Sequence, residues 1–394
     1  VTERAVLRLA AGQGRRLKSG SPWVFSNELK MLPDYRRMEP GGLVRIEGED
    51  QWRYGTFMFN PHSLIAARLL DRDPAAAIDA GWVRAKLASA ISLRARVCDS
   101  VWHRLVHAEA DGLPGLIVDR YDDVAVLQAN TAGMERLTPL ILQALCELLP
   151  LRAVVARNDA AARRYEGLPD EVRLLAGEDA RAFVVEGGVR FPIDPLEGQK
   201  TGWFFDQRPN RDMVARLASG ARVLDVCCHV GAFGLRCASA GAASVVLVDA
   251  SAAALEAALQ AAEMNGVSDR VSVRRDDAFD ALAACAQAGE RFDLVICDPP
   301  AFAKSRKDAE AGLRAYGRLA RLAASVVAPG GFLFLASCSH HAAPEAWAAQ
   351  NAFGLLRARR DGRLLFTGGA GPDHPVHPHL PETAYLKAQL FQLV

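Results

Sequence analysis

From about residue 191 onward, short apolar runs alternate with helix-patterned stretches, and this alternation constrains the fold more than any other feature of the chain. The runs are Arg222–Val226, Ser244–Asp249, Arg270–Arg274, Phe292–Cys297 and Phe332–Ser337. Between them the clearest helical stretch is Ala252–Met264, stopped by Asn265-Gly266. Apolar strands separated by helices specify a parallel sheet covered on both faces. Ligands of such sheets gather outside the carboxyl ends of the strands. Two of those ends carry chemistry. Phe292–Cys297 runs into Asp298-Pro299-Pro300, and a strand introduced by a Gly330-Gly331 turn runs into Ser337-Cys338-Ser339-His340. A thiol delivered there can be attacking and leaving group within one cycle.

A chain of 394 residues is too long for one core, so two or three domains are expected. Residues 1–74 read as a small β-rich module, with strands near 41–46, 51–59 and 64–70 broken by Gly48-Glu49-Asp50 and Asn60-Pro61. Asp71 to Pro74 and the alanines after it read as a linker and helix start. Residues 75–190 read as a compact α+β unit, with helices near 85–97 and 134–148, a hairpin Leu116–Arg120/Val124–Gln128 and a strand at 153–156. Residues 191–394 form the α/β domain.

Eight cysteines occur and none makes a CxxC pair, which favours a reducing compartment, the cytoplasm, over a zinc ribbon or a disulfide framework. Cys227-Cys228-His229 is a poor metal set, because adjacent cysteines rarely ligate one ion with good geometry; no metal is expected. No run of about twenty apolar residues exists, and the N-terminal residues lack an apolar h-region, so neither a membrane span nor a signal peptide is expected. Net charge is +1, yet Arg4, Arg8, Arg15, Arg16 and Lys18 face only Glu3 in residues 1–20. Such a patch suits phosphate as well as a solvated face. Arg357, Arg359, Arg360 and Arg363 make a second cluster.

The first α/β strand ends Leu224-Asp225, and the loop after it reaches Gly231. His229 occupies the first glycine position of a dinucleotide fingerprint, so a pyrophosphate cradle is disfavoured. Asp249 ends the second strand, where an acid can accept from ribose hydroxyls. Asp277-Ala278 follows the third, where a carboxylate can take an adenine amino group. Each acid alone could be a helix cap. Together, with no phosphate-binding lysine, they suit a cationic, phosphate-free nucleoside, and S-adenosylmethionine fits.

The chain resembles the RlmI-type class I methyltransferases, which make 5-methylcytosine in 23S rRNA. The resemblance rests on Gly20-Ser21-Pro22-Trp23-Val24-Phe25-Ser26, Asn60-Pro61-His62-Ser63, the stretch Ala110 to Arg120, the stretch Gly198 to Arg208, Asp298-Pro299-Pro300-Ala301-Phe302, Ser337-Cys338-Ser339 and Asp373-His374-Pro375. It implies a PUA-like RNA-binding domain, a small central α+β domain and a Rossmann-like catalytic domain with a mostly parallel seven-stranded sheet. The substrate it implies is 23S rRNA or the large ribosomal subunit; oligomeric state stays open, a homodimer included. Cys338 would attack cytosine carbon 6, with Asp298 on the base edge. Cofactor contacts would come from Asp225, Gly231, Asp249, Asp277, Ala278 and Pro299, together with Lys200 and Thr201. Arg15, Arg16, Lys18, Trp23 and Arg208 are the candidate RNA contacts. Ala301 stands where many RNA cytosine methyltransferases place a second cysteine. Guanine-N7 methylation is the rival chemistry, and it needs no nucleophile. A non-catalytic assembly factor is the rival class, and it would have no need of the acids.

Overall fold

The computed structural model describes residues 4–197 and 201–394. Contacts divide the chain into two compact units. The first gathers the described residues up to Val184, those of 193–205, and Pro372–Thr383; the second comprises Val185–Pro192, Asp206–Gly371 and Ala384–Val394.

Two five-stranded sheets build the first unit. The N-terminal sheet runs in the order Ala5–Arg8, Gly42–Glu47, Arg53–Phe59, Ala67–Asp71, Trp23–Val24. Its first pair is parallel and the others antiparallel. The alanines of 75–77 are not helical. The helix starts at Ala80, because the Asp79 side chain accepts from the backbone N–H of Trp82 and fixes the N-terminus there. In the second sheet the hairpin Leu116–Tyr121/Val124–Ala129 is joined by Ala153–Asn158, parallel to Val124–Ala129 through the crossover helix Ala132–Leu148. Trp102–His107 and Glu171–Ala176, which show no clean alternation, close its two edges.

One buried network ties together motifs far apart in the chain. Arg94 makes a paired contact with Asp111 at 2.5 and 2.8 Å and donates to the carbonyl of Asp373 at 2.8 Å. Asp373 accepts from the backbone N–H of Arg104 and holds His374 Nδ1 at 2.9 Å. Beside it, burial pushes the His107 imidazole down to about 2, with Arg104, His374 and Arg94 adding repulsion, so it stays neutral. The turn at Asp111 to Gly115 is thus an anchor of the fold.

The second unit is built on a seven-stranded sheet. Its strands are β1 (Arg222–Val226), β2 (Ser244–Asp249), β3 (Val271–Arg275), β4 (Phe292–Cys297), β5 (Val327–Ser337), β6 (Gly362–Gly368) and β7 (Lys387–Leu393). Their order is 3-2-1-4-5-7-6. β1 to β5 are mutually parallel, and β7 lies antiparallel between β5 and β6. Gly330-Gly331 is not a turn ahead of β5. It lies inside an eleven-residue strand, where the pairing with β4 shifts register between Phe292 and Leu294. A Cβ on Gly331 would come within 2.8 Å of the Asp293 carbonyl, so only glycine allows that approach. Ser251 caps the helix Ala252–Met264, whose face of Leu255, Ala258 and Ala262 is buried. Among the described residues no helix is long and apolar enough to cross a membrane.

Candidate active site

Parallel pairing sets the ends of β1, β4 and β5 side by side. Val226 faces Cys297 across one ladder and Cys297 faces Leu335 across the next, so the chain leaves β4 at Asp298 and β5 at Cys338 on the same sheet edge. Asp298 and Cys338 are half-buried, while Cys297 is wholly buried in the core. Burial pushes the Cys297 thiol well up, which leaves it an inert packing group.

The two loops are locked together by one buried serine. Ser339 Oγ lies 2.8 Å from Tyr316 Oη and accepts from the backbone N–H of Ala303 at 3.2 Å. The Tyr316 hydroxyl in turn accepts from the backbone N–H of Phe302 at 3.4 Å. Tyr316 comes from the helix Ala309–Val326 and packs its ring on Phe302 at 4.7 Å. The residues after Asp298-Pro299-Pro300 are therefore fixed to the residue after Cys338.

Around β1 lies the second half of the site. Asp225 is 1 % exposed; its Oδ2 accepts from the backbone N–H of Gly234 at 2.8 Å, and its Oδ1 is buried with no partner among the described residues. Burial pushes this carboxyl up to about 8, against the Gly234 bond, with Asp298 and Asp249 adding repulsion. The following loop turns through left-handed residues at Cys227 (φ 61°), His229 (φ 52°) and Gly231 (φ 73°). Two non-glycine residues in that region cost roughly 1–3 kcal/mol each, a cost usually met at functional loops. A Cβ on Gly231 would lie 3.0 Å from Leu247 and 3.3 Å from Ala258, so the glycine is needed where the helix Ala232–Ser239 begins. Asp249 accepts from His229 N and Ser251 N, each at 2.9 Å. Asp277 caps the helix Ala278–Gln287 through Oδ1, which leaves Oδ2 unbonded among the described residues. Ala278 is half-buried behind it, and Pro299 is buried. An unpaired buried carboxyl oxygen, two strand-end carboxylates and a glycine cradle fit a cationic nucleoside.

The remaining expected site residues have surroundings of their own. Thr201 is buried in the first unit, its carbonyl accepting from Tyr121 Oη at 3.0 Å; Lys200 lies outside the described residues. Arg208 stands 3.5 Å from Glu186, within a buried cluster that also holds Arg211 and Arg236. The cations of the N-terminal patch differ in availability. Arg15 is exposed, and Arg16 stacks over Phe25 at 4.8 Å. Lys18 is paired with Asp50 at 3.2 Å. Trp23 is half-buried, donating its indole N–H to Glu109 at 2.7 Å under Arg68, so its ring serves packing inside the unit.

Sequence reading missed four features. Ser339 appeared in the Ser337-Cys338-Ser339 motif without a role of its own, and Tyr316 carried no signal, being one aromatic in a helix. Lys387 was visible only as a cation opening an otherwise uncharged strand. The fourth is a groove of about 360 Å³ lined by Leu17, Lys18, Asp50, Trp52, Arg53, Tyr54 and Arg72. Its Trp52 is 65 % exposed. In the second arginine cluster, Arg360 donates to the carbonyls of Ala324, Val327 and Ala328 and so caps the fold.

Sheet order and strand-end acids together define a class I S-adenosylmethionine-dependent methyltransferase. A family model described as S-adenosylmethionine-dependent methyltransferase matches residues 105–392, and one described as a PUA-like domain matches residues 7–72. Curated relatives carry the name ribosomal RNA large subunit methyltransferase I. That of Shewanella denitrificans is 34% identical over 387 residues, covering 97% of each chain. That of Aeromonas hydrophila is 34% identical over 390 residues, 97% of this chain and 98% of its own. The chain belongs to the ribosomal RNA large subunit methyltransferase I family, and S-adenosylmethionine is its methyl donor. Among solved structures, a methyltransferase titled SMU.776, complexed with S-adenosylhomocysteine, shares the fold at TM-score 0.84 and 18% identity, over 98% of this chain and 100% of its own. A Streptococcus mutans methyltransferase does so at TM-score 0.83, also at 18% identity and the same coverage.

Proposed function

We propose that the chain methylates carbon 5 of a cytosine in large-subunit (23S) ribosomal RNA, in the cytoplasm, through a covalent adduct with Cys338. The observation that carries this reading is the Ser339–Tyr316–Ala303 lock, which ties the Asp298 loop to the Cys338 loop at one sheet edge. Cytosine carbon 5 is too weak a nucleophile to take a methyl group unaided. The Cys338 sulfur adds to carbon 6, and the carbon 5–carbon 6 electron pair moves toward carbon 5, which can then attack. Asp298 hydrogen-bonds the base edge and stabilises the protonated ring. Loss of the carbon-5 proton restores the double bond, and the carbon–sulfur bond breaks to release the thiolate. Bound S-adenosylmethionine supplies the electrophilic methyl on a sulfonium. Asp249 accepts from its ribose and Asp277 Oδ2 from its adenine, while Asp225 and Gly231 shape the loop between them.

Residues 1–74 supply an RNA surface, residues 75–190 a connecting domain and residues 191–394 catalysis. Arg15 and Arg16, with the groove that holds Trp52 and Arg72, offer phosphate contacts and an exposed ring for an unpaired base.

The test is Cys338→Ala alongside Cys297→Ala, with RNA carrying 5-fluorocytosine. Fluorine at carbon 5 blocks the elimination, so the wild type and C297A should form a stable adduct and C338A none. C338A should lose methylation while keeping its melting temperature and S-adenosylmethionine affinity. Near wild-type turnover in C338A would sink the nucleophile assignment and favour guanine-N7 chemistry.

A further inference from the structure

Lys387 opens β7, and the antiparallel register sets it opposite Ser337, the residue before Cys338. Its Nζ donates to the carbonyl of Ser339, the residue after Cys338, at 2.8 Å, and to the carbonyl of Tyr385 at 3.0 Å. Backbone pairing on one side of the cysteine and a side-chain bond on the other therefore bracket it with one lysine. The third ammonium N–H has no acceptor among the described residues. Lys387 is half-buried. Two neutral carbonyls repay poorly the desolvation of an ammonium, whereas an anion within reach would offset it. The one anion the reaction must generate at this sheet edge is the Cys338 thiolate, formed before attack on carbon 6 and formed again on elimination.

We propose that Lys387 is a positioning cation that holds Cys338 as the thiolate, both as attacking and as departing group. This rests on the cysteine mechanism proposed above. Lys387 takes no proton from the substrate; the thiol proton goes to solvent before attack, and the ammonium remains charged throughout. Burial lowers the lysine pKa and the Cys338 charge raises it, so the two groups interact. Among the described residues, Tyr316 from the helix Ala309–Val326 also interacts with Cys338, Asp298 ends β4 on the same sheet edge, and His340 lies on the Cys338 loop, stacked on Tyr385 at 5.4 Å. Asp298 on the same sheet edge would oppose a thiolate, and the lysine supplies a compensating charge.

The experiment is alkylation of the full-length protein by iodoacetamide across pH, with the Cys338 peptide quantified by mass spectrometry. Removing the charge in Lys387→Met or Lys387→Gln should move the alkylation midpoint up by about one pH unit or more, and Lys387→Arg should bring it back. Adduct formation with 5-fluorocytosine RNA at pH 7 should fall about tenfold in K387M and recover at higher pH, with S-adenosylmethionine affinity unchanged. A merely structural lysine would change the amount of folded protein but not the midpoint. Superimposable wild-type and K387M or K387Q profiles, with adduct forming in both, overturn the lysine role alone. Absence of adduct in the wild type overturns the cysteine mechanism, and the lysine role with it.

Discussion

Asp225 shows how a residue can serve a site at the expense of the fold. Its carboxyl is buried and pushed up to about 8, whereas in the unfolded chain it titrates near 4. Between those values the folded state binds more protons than the unfolded state, so this group costs stability as pH rises, by up to about 1.4 kcal/mol per pH unit. Asp225→Asn should therefore raise the melting temperature at pH 7–8, have little effect at pH 4, and weaken S-adenosylmethionine binding. Melts at both pH values, paired with calorimetry, check this. A variant that melts lower at pH 8 would mean that the carboxylate is compensated in the free protein. Lys387 is the counterpart, a half-buried cation beside the proposed nucleophile.

At the scale of elements, the catalytic edge depends on a helix that carries none of the reacting groups. The helix Ala309–Val326 presents Tyr316, whose hydroxyl bonds to both loops at once. Tyr316→Phe removes one buried hydroxyl, and should cost about 1–2 kcal/mol of stability. If the lock aligns the loops, turnover should fall well beyond that loss of folded enzyme, while S-adenosylmethionine affinity, proposed to come chiefly from the ends of β1, β2 and β3, stays level. Full turnover in a destabilised Y316F would reduce the lock to packing. The strand-to-helix alternation announced this layer of helices. It did not announce which helix residue would reach the site, because a helix position faces its sheet according to packing angle.

For the whole molecule, the proposed function divides substrate capture from chemistry along the chain. Arg15 and Arg72 are exposed, whereas Lys18 and Arg53 have carboxylate partners at 3.2 and 3.1 Å. Reversing Arg15 and Arg72 to glutamate should weaken RNA binding and flatten its logarithmic salt dependence by about 0.7–0.9 per lost phosphate contact. S-adenosylmethionine affinity should not change. Binding titrations at several salt concentrations read the slope directly, and an unaltered slope would take the groove out of the interface.

The α/β sheet, its strand-end acids and the two loaded strand ends were legible in the sequence, since apolar periodicity and turn residues are local properties. Gly231 was legible as the glycine of the loop after β1, whereas its left-handed backbone was seen only in the fold. Edge strands such as Trp102–His107 and Glu171–Ala176 were not legible, because their pairing comes from distant partners and not from their own pattern. Nor was the fate of individual charges. Sequence offered Lys18 and Trp23 as RNA contacts, and folding gave them the carboxylate partners Asp50 and Glu109. Asp111 and Asp373 sat in separate motifs until Arg94 bridged them. Hydrogen-bond partners depend on where chains cross, which no local pattern encodes. Tertiary structure alone therefore decided that Tyr316 and Lys387 meet the loop that carries Cys338 and Ser339.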